Sequence, residues 1–143
     1  MINLTEGQIN IGEKNILASS DEELNILAQQ NLIEKRKDAV GNYYYVEDQA
    51  DGLRFGITIN LQKRKIQWLR LHWLDSPMKG WDDVSVERVK NEYHLLLNFV
   101  KNIIGRPSDI KKNREHTWCL KWGKIDVSFD LRAFQADIFM VPR

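Results

Sequence analysis

The chain carries a single cysteine among its 143 residues, Cys119. One thiol cannot close an internal disulfide, so nothing here implies an oxidising compartment. No stretch approaches the roughly 20 apolar residues that cross a bilayer as a helix. The opening Met-Ile-Asn-Leu-Thr-Glu-Gly-Gln has neither the basic start nor the apolar run of a secretory leader. A cytoplasmic protein with no membrane segment is the resulting expectation. Glycine-rich phosphate loops are missing, both Gly-x-Gly-x-x-Gly and Gly-x-x-x-x-Gly-Lys-Ser/Thr, and so is the Gly-x-Ser-x-Gly nucleophile turn. No two of His72, His94 and His116 have the short spacing of a zinc site. Neither a metal nor an organic cofactor is therefore expected.

Charge of one sign is also lacking, since the formal net charge is +1. The distribution is uneven. Residues 1–51 hold ten acids and four bases, whereas residues 52–125 hold fifteen bases and seven acids. Such a split marks either two different faces or an acidic third packed beside a basic middle.

What is present is a chain of ordinary globular make-up, with 43% hydrophobic and 29% charged residues. One domain of this length buries roughly 68–70% of its unfolded surface without a disulfide or metal. Ser20-Asp21-Glu22-Glu23 has capping-box spacing and predicts a short helix over about 21–30. Ile9–Ile11 suggests a weak edge strand. Tyr43-Tyr44-Tyr45-Val46 favours a strand, and Asp51-Gly52 marks a turn. Leu53, Phe55, Ile57, Ile59 and Leu61 alternate with polar residues in the clearest strand pattern. A charged turn, Gln62-Lys63-Arg64-Lys65, leads to a strand over 66–74. There Leu69, Leu71 and Trp73 line one face and Trp68, Arg70 and His72 the other.

Residues 75–83 read as a loop. Val86, Val89, Tyr93, Leu96, Leu97, Val100 and Ile104 then recur at helical spacing, predicting an amphipathic helix of about 20 residues capped by Asp83 or Ser85. Gly105 and Pro107 stop it. Three strands follow: Thr117–Trp122, then Ile125–Leu131 after a Gly123-Lys124 turn, then Phe134–Met140. The expected fold is a single α+β domain over 1–143. Its order is α-β-β-β-α-β-β-β, a pseudo-repeat, with both helices on one face of an antiparallel sheet.

Several residues invite a chemical reading. The segment 63–73 interleaves Lys63, Arg64, Lys65 and Arg70 with Trp68 and Trp73, as a surface for single-stranded nucleic acid would. Near-neutral charge and the lack of an RNA-binding motif weigh against that reading, and lysine-rich tips also keep sheets from pairing. The loop Asp75–Asp83 puts Met78 and Trp81 among polar residues, where they could anchor a protein partner or fold back over the core. Asp126, Ser128, Asp130 and Asp137 form an acidic stripe, most simply a solvated face paired with bases such as Lys121. Cys119 reads as a passive strand residue, and the three histidines read as structural.

The helix end Ile103-Ile104-Gly105-Arg106-Pro107, a gap, and then Trp118…Trp122-Gly123-Lys124 with a strand pair resembles small, mostly uncharacterised bacterial proteins of the toxin-immunity type. The likeness spans about residues 85–141. Its motifs are a helix stop, a hairpin and core tryptophans, and they carry over no site residue. It implies a partner protein, a toxin domain whose active site is occluded.

The leading expectation is a non-enzymatic protein-binding domain of this immunity type, contacting its partner through Met78, Trp81, Trp68, Arg70 and His72. Nucleic-acid binding through Lys63, Arg64, Lys65, Trp68 and Arg70 is the alternative. A small enzyme using His72, Cys119 or Asp126 is a third reading, and a homodimer through an open sheet face is a further option.

Overall fold

The structure, a computed structural model, describes residues 1–76 and 85–143. The Met78 and Trp81 expectation therefore lies outside the described residues.

The chain begins with a small three-stranded antiparallel sheet, β1 (Ile2–Asn3), β2 (Gln8–Ile11) and β3 (Lys14–Asn15). The Ile9–Ile11 strand exists, but it belongs to this separate sheet and is not an edge of the main one. Helix α1 (Asp21–Gln29) starts at a complete capping box, with Ser20 accepting from the Glu23 amide and Glu23 reaching back to the Ser20 amide. Its Leu24 and Leu27 enter the core.

The main sheet has eight strands. β4 (Glu34–Lys37), β5 (Asn42–Ala50), β6 (Leu53–Gln62) and β7 (Lys65–Trp73) form one antiparallel meander after α1. Helix α2 (Val86–Ile104) is followed by a second meander, β8 (Ile110–Lys112), β9 (Glu115–Cys119), β10 (Gly123–Asp130) and β11 (Gln135–Pro142). The spatial order is β4-β5-β6-β7-β11-β10-β9-β8. Each half is thus a helix and four strands, one strand more than alternation predicts. The extra strands, β4 and β8, are the two edges. Every residue of both is exposed, so no apolar alternation marks them in the sequence.

The halves join where their last strands pair, with Leu71 opposite Ile138, Arg70 opposite Phe139 and Leu69 opposite Met140. This register places a pseudo-twofold axis between Arg70 and Phe139. The Asp51-Gly52 and Lys63-Arg64 hairpin turns both take positive φ at both central residues, the backbone that matches strand twist. For Lys63 and Arg64 that conformation is disfavoured by their Cβ atoms.

One sheet face carries Tyr44, Phe55, Ile57, Ile59, Leu69, Leu71, Ala136, Ile138, Met140, Ile125, Val127 and Trp118, all buried. Both helices cover this face. Tyr44 hydrogen-bonds Asp21 of α1 through its hydroxyl at 3.3 Å. From α2, Phe99 packs on Phe55 with ring centroids 5.9 Å apart, and Tyr93 on Phe129 at 4.7 Å. Ser85 caps α2 by accepting from the Arg88 amide, and Gly105 ends it in the left-handed conformation at φ 84°.

The β9–β10 hairpin turns earlier than expected. β9 stops at Cys119, and Leu120–Trp122 form the turn. Trp122 leaves the strand pattern because its indole N–H donates to the carbonyls of Leu4 and Thr5, tying the small sheet down. Gly7 (φ 66°) lies against that ring, and a Cβ there would fall inside it.

Candidate functional site

Strands alternate their side chains, so the face opposite the helices carries the other half of every strand. No described element packs on it. Its centre is built by β7 and β11. Trp68, Arg70 and His72 project from β7 as the alternation predicts, and Gln135, Asp137 and Phe139 stand beside them on β11.

Trp68 meets Phe139 edge-on, with ring centroids 5.5 Å apart. Both are half-buried by their neighbours alone. Further out, the Arg36 guanidinium lies 3.7 Å over the Tyr45 ring and is held by Glu34 at 2.7 Å. Gly56 makes room for Tyr45, since a Cβ there would press on its ring and hydroxyl. Arg70 sits between Thr58 and Phe139. Its Nε is buried, with no hydrogen-bond partner among the described residues. Arginine is the side chain most suited to hold a planar carboxylate with two parallel hydrogen bonds.

The carboxylates of Asp137 on β11 and Asp126 on β10 are already engaged. His72 Nδ1 lies 3.1 Å from Asp137 Oδ1. The Gln135 amide nitrogen is 3.0 and 2.9 Å from the two Asp137 oxygens. That nitrogen also lies 3.0 Å from His72 Nδ1. Two donors cannot face each other across a hydrogen bond, so with Nδ1–H given to Asp137 the Gln135 protons go to the carboxylate. Asp126 accepts from Thr117 at 2.6 Å and faces Lys124 at 3.4 Å. Lys124, not Lys121, is therefore the cation beside this acid. On the helix side, α2 buries Glu92, whose carboxyl is pushed up by desolvation. A Ser76 hydrogen bond and the His72 charge partly offset that rise.

The hydrogen bond to Asp137 raises the His72 pKa, against an opposing effect of burial. A raised folded-state value means the contribution to stability is complete below the unfolded value of about 6.5 and is lost as pH rises through the folded one. Asp137→Asn should therefore lower the His72 midpoint in an NMR titration, because burial and the Arg70 charge are then opposed only by the charge of Glu92. The stability gap between wild type and variant should close as pH rises. An unchanged midpoint would mean that Asp137 does not hold the imidazolium.

The enzyme candidates do not converge. Cys119 is exposed at the far end of β9. Strand spacing puts it about 20 Å from His72 across the sheet. Asp126 is engaged as described. Among the described residues no group of three or more His, Cys, Asp and Glu side chains could hold a metal ion. No described helix is long and apolar enough to cross a membrane. Lys63 and Arg64 lie at the β6–β7 turn, away from the centre of the open face. Arg64 lines a cavity with Ser20, Asp21 and Glu22, so part of the basic middle complements the acidic first turn of α1.

Sequence reasoning placed Trp68, Arg70 and His72 on one face but missed Tyr45, Gln135 and Phe139. Asp137 was grouped with an acidic stripe, not with His72. Only the β7–β11 pairing brings them together, and the pairing partner of a strand's second edge leaves no local signal.

No protein-family model matches the chain, and neither the curated proteins nor the solved structures contain a match.

Proposed function

We propose that the protein is a non-enzymatic protein-binding domain whose contact surface is the open sheet face around Arg70, with toxin immunity as its sharpest form. In that form it seats over the active site of a cognate toxin and blocks substrate access. One observation carries the reading: Arg70 is half-buried at the centre of a face that no described element covers, with its Nε unsatisfied. The acids of this face on β11 and β10, Asp137 and Asp126, are committed elsewhere. A buried polar group without a partner is disfavoured unless a ligand completes it. Trp68, Phe139 and Tyr45 surround it with the aromatic surface that anchors protein interfaces. The partner accordingly presents a carboxylate to Arg70 and apolar side chains around it.

Nucleic acid is the weaker reading. The Trp68 ring is turned edge-on into Phe139, and Asp126 and Asp137 stand on the same face. Both features oppose stacking of bases and approach of phosphates.

The test is a protein partner purified with this chain and footprinted by hydroxyl radicals. Oxidation of Trp68 and Tyr45 should fall in the complex, and co-expression should relieve toxicity of the partner. A partner that protects other residues and leaves these two unchanged would sink the choice of surface. Lack of any stoichiometric protein partner would sink the reading itself.

A further inference from the structure

A second site lies on the opposite side of the molecule, along the seam between α2 and the β8–β9 hairpin. Two adjoining cavities share His94 as a wall. The smaller, about 190 Å³, is lined by His94, Lys101, Ser108, Lys111 and His116 over Trp118. The larger, about 330 Å³, is lined by Lys90, Tyr93, His94, Arg114, Phe129 and Leu131. Among the described residues no carboxylate lines either one. Four permanent cations and two histidines therefore face one seam, with no counter-charge from the described residues in its walls. Concentrated charge of one sign in a low-dielectric cleft focuses the field on an incoming ion.

Two independent features point to a ligand. The Tyr93 hydroxyl is buried, with the residue only 4% exposed, and has no hydrogen-bond partner among the described residues. It is a donor left over at the wall of the larger cavity. His116 Nδ1 is 3.1 Å from the Ser108 hydroxyl, which leaves the far ring nitrogen for another group. Burial, with Lys111 and His94 beside it, also pushes the His116 pKa down, as cations crowded without an anion require.

We infer that this seam is a binding site for a small organic phosphate. The phosphate sits in the smaller cavity among Lys101, Lys111, His94 and His116, and the organic body lies against Phe129 and Leu131 in the larger one, where an acceptor on it takes the Tyr93 hydroxyl proton. The chemistry matches part by part. A phosphate offers acceptor oxygens to lysines, imidazole and hydroxyl, and its charge is the missing counter-ion. The larger cavity adds aromatic and aliphatic walls that inorganic phosphate alone would leave unused.

The three histidines make the test direct. Phenyl phosphate and inorganic phosphate are titrated into the full chain at constant ionic strength set with sodium chloride, and the imidazole NMR signals are followed. The His94 and His116 signals should move and the His116 midpoint should rise, while His72, on the other sheet face, stays still. Phenyl phosphate should bind more tightly than inorganic phosphate. Lys101→Gln with Lys111→Gln should weaken both by about tenfold or more, with the melting temperature near wild type because both lysines are exposed. Lys121→Gln, in the β9–β10 turn, should change nothing. Equal shifts at all three histidines, no shift at any, or binding untouched by the double substitution would overturn the site. Equal affinity for the two probes would overturn the organic-phosphate assignment.

Discussion

Arg70→Ala should weaken partner binding by about a hundredfold or more, the range of a central interface anchor, while folding stability stays within about 0.5 kcal/mol. The two effects separate for a physical reason. The Nε of Arg70 makes no hydrogen bond within the described chain, so its removal costs the free protein little and relieves a buried unsatisfied donor. In the complex, loss of the guanidinium strands a desolvated carboxylate on the partner. Arg70→Lys should restore only part of the affinity, because an ammonium is a point charge and lacks the planar fork. Trp68→Ala makes the contrast. It should weaken binding and also cost about 1 kcal/mol of stability, since the edge-on contact with Phe139 exists in the free protein. Calorimetric titration with the partner, paired with urea unfolding, reads both quantities. An unchanged dissociation constant for Arg70→Ala would remove Arg70 from the interface.

Trp118→Ala should destabilise the fold by about 3–5 kcal/mol, the range for truncating a large aromatic core residue. Trp118 is 1% exposed. It stands on β9 opposite Ile125. Its indole N–H donates to the Arg106 carbonyl at 3.0 Å, just past the end of α2. Around it, Arg106 also bonds Asp109 and the Cys119 carbonyl, and Asp109 accepts from the Cys119 amide. One side chain thus fills the core and latches the α2–β8 connection to β9. Trp118→Phe keeps most of the ring and loses the latch, so its cost should be about 1–3 kcal/mol, chiefly the stranded Arg106 carbonyl. Urea midpoints at constant slope measure both. A loss under about 1 kcal/mol for the alanine variant would mean that the site collapses to fill the void.

Local pattern carried much of the fold. The capping box at Ser20 and the stop at Gly105 are chemical signals contained within a few residues; α1 begins at the first and α2 ends at the second. The strands with one buried face, β6, β7, β10 and β11, alternate in the sequence as they do in space. The failures share a cause. β4 and β8 lie at sheet edges with every residue exposed, so burial leaves no period in them. The β9–β10 turn was misplaced because Trp122 looked like the next inward strand residue. It is apolar for another reason, its contact with the small N-terminal sheet. Glu92 broke the helical pattern by being buried among groups drawn from other elements.

Residue spacing alone was enough for the α+β class, the two helices, the α1 cap and the α2 stop, and the grouping of Trp68, Arg70 and His72 on one face of a strand. Those properties depend on spacing along the chain and on short-range hydrogen bonds. The pairing of β7 with β11 has no such local origin. That pairing makes two meanders one sheet, sets His72 against Asp137, and leaves Arg70 at the centre of an open face. The closing of α2 over the β8–β9 hairpin has no such origin either, and it gathers bases far apart in sequence around one seam. Strand order and helix docking are chosen by the burial of the whole core, and no short window of residues contains that choice.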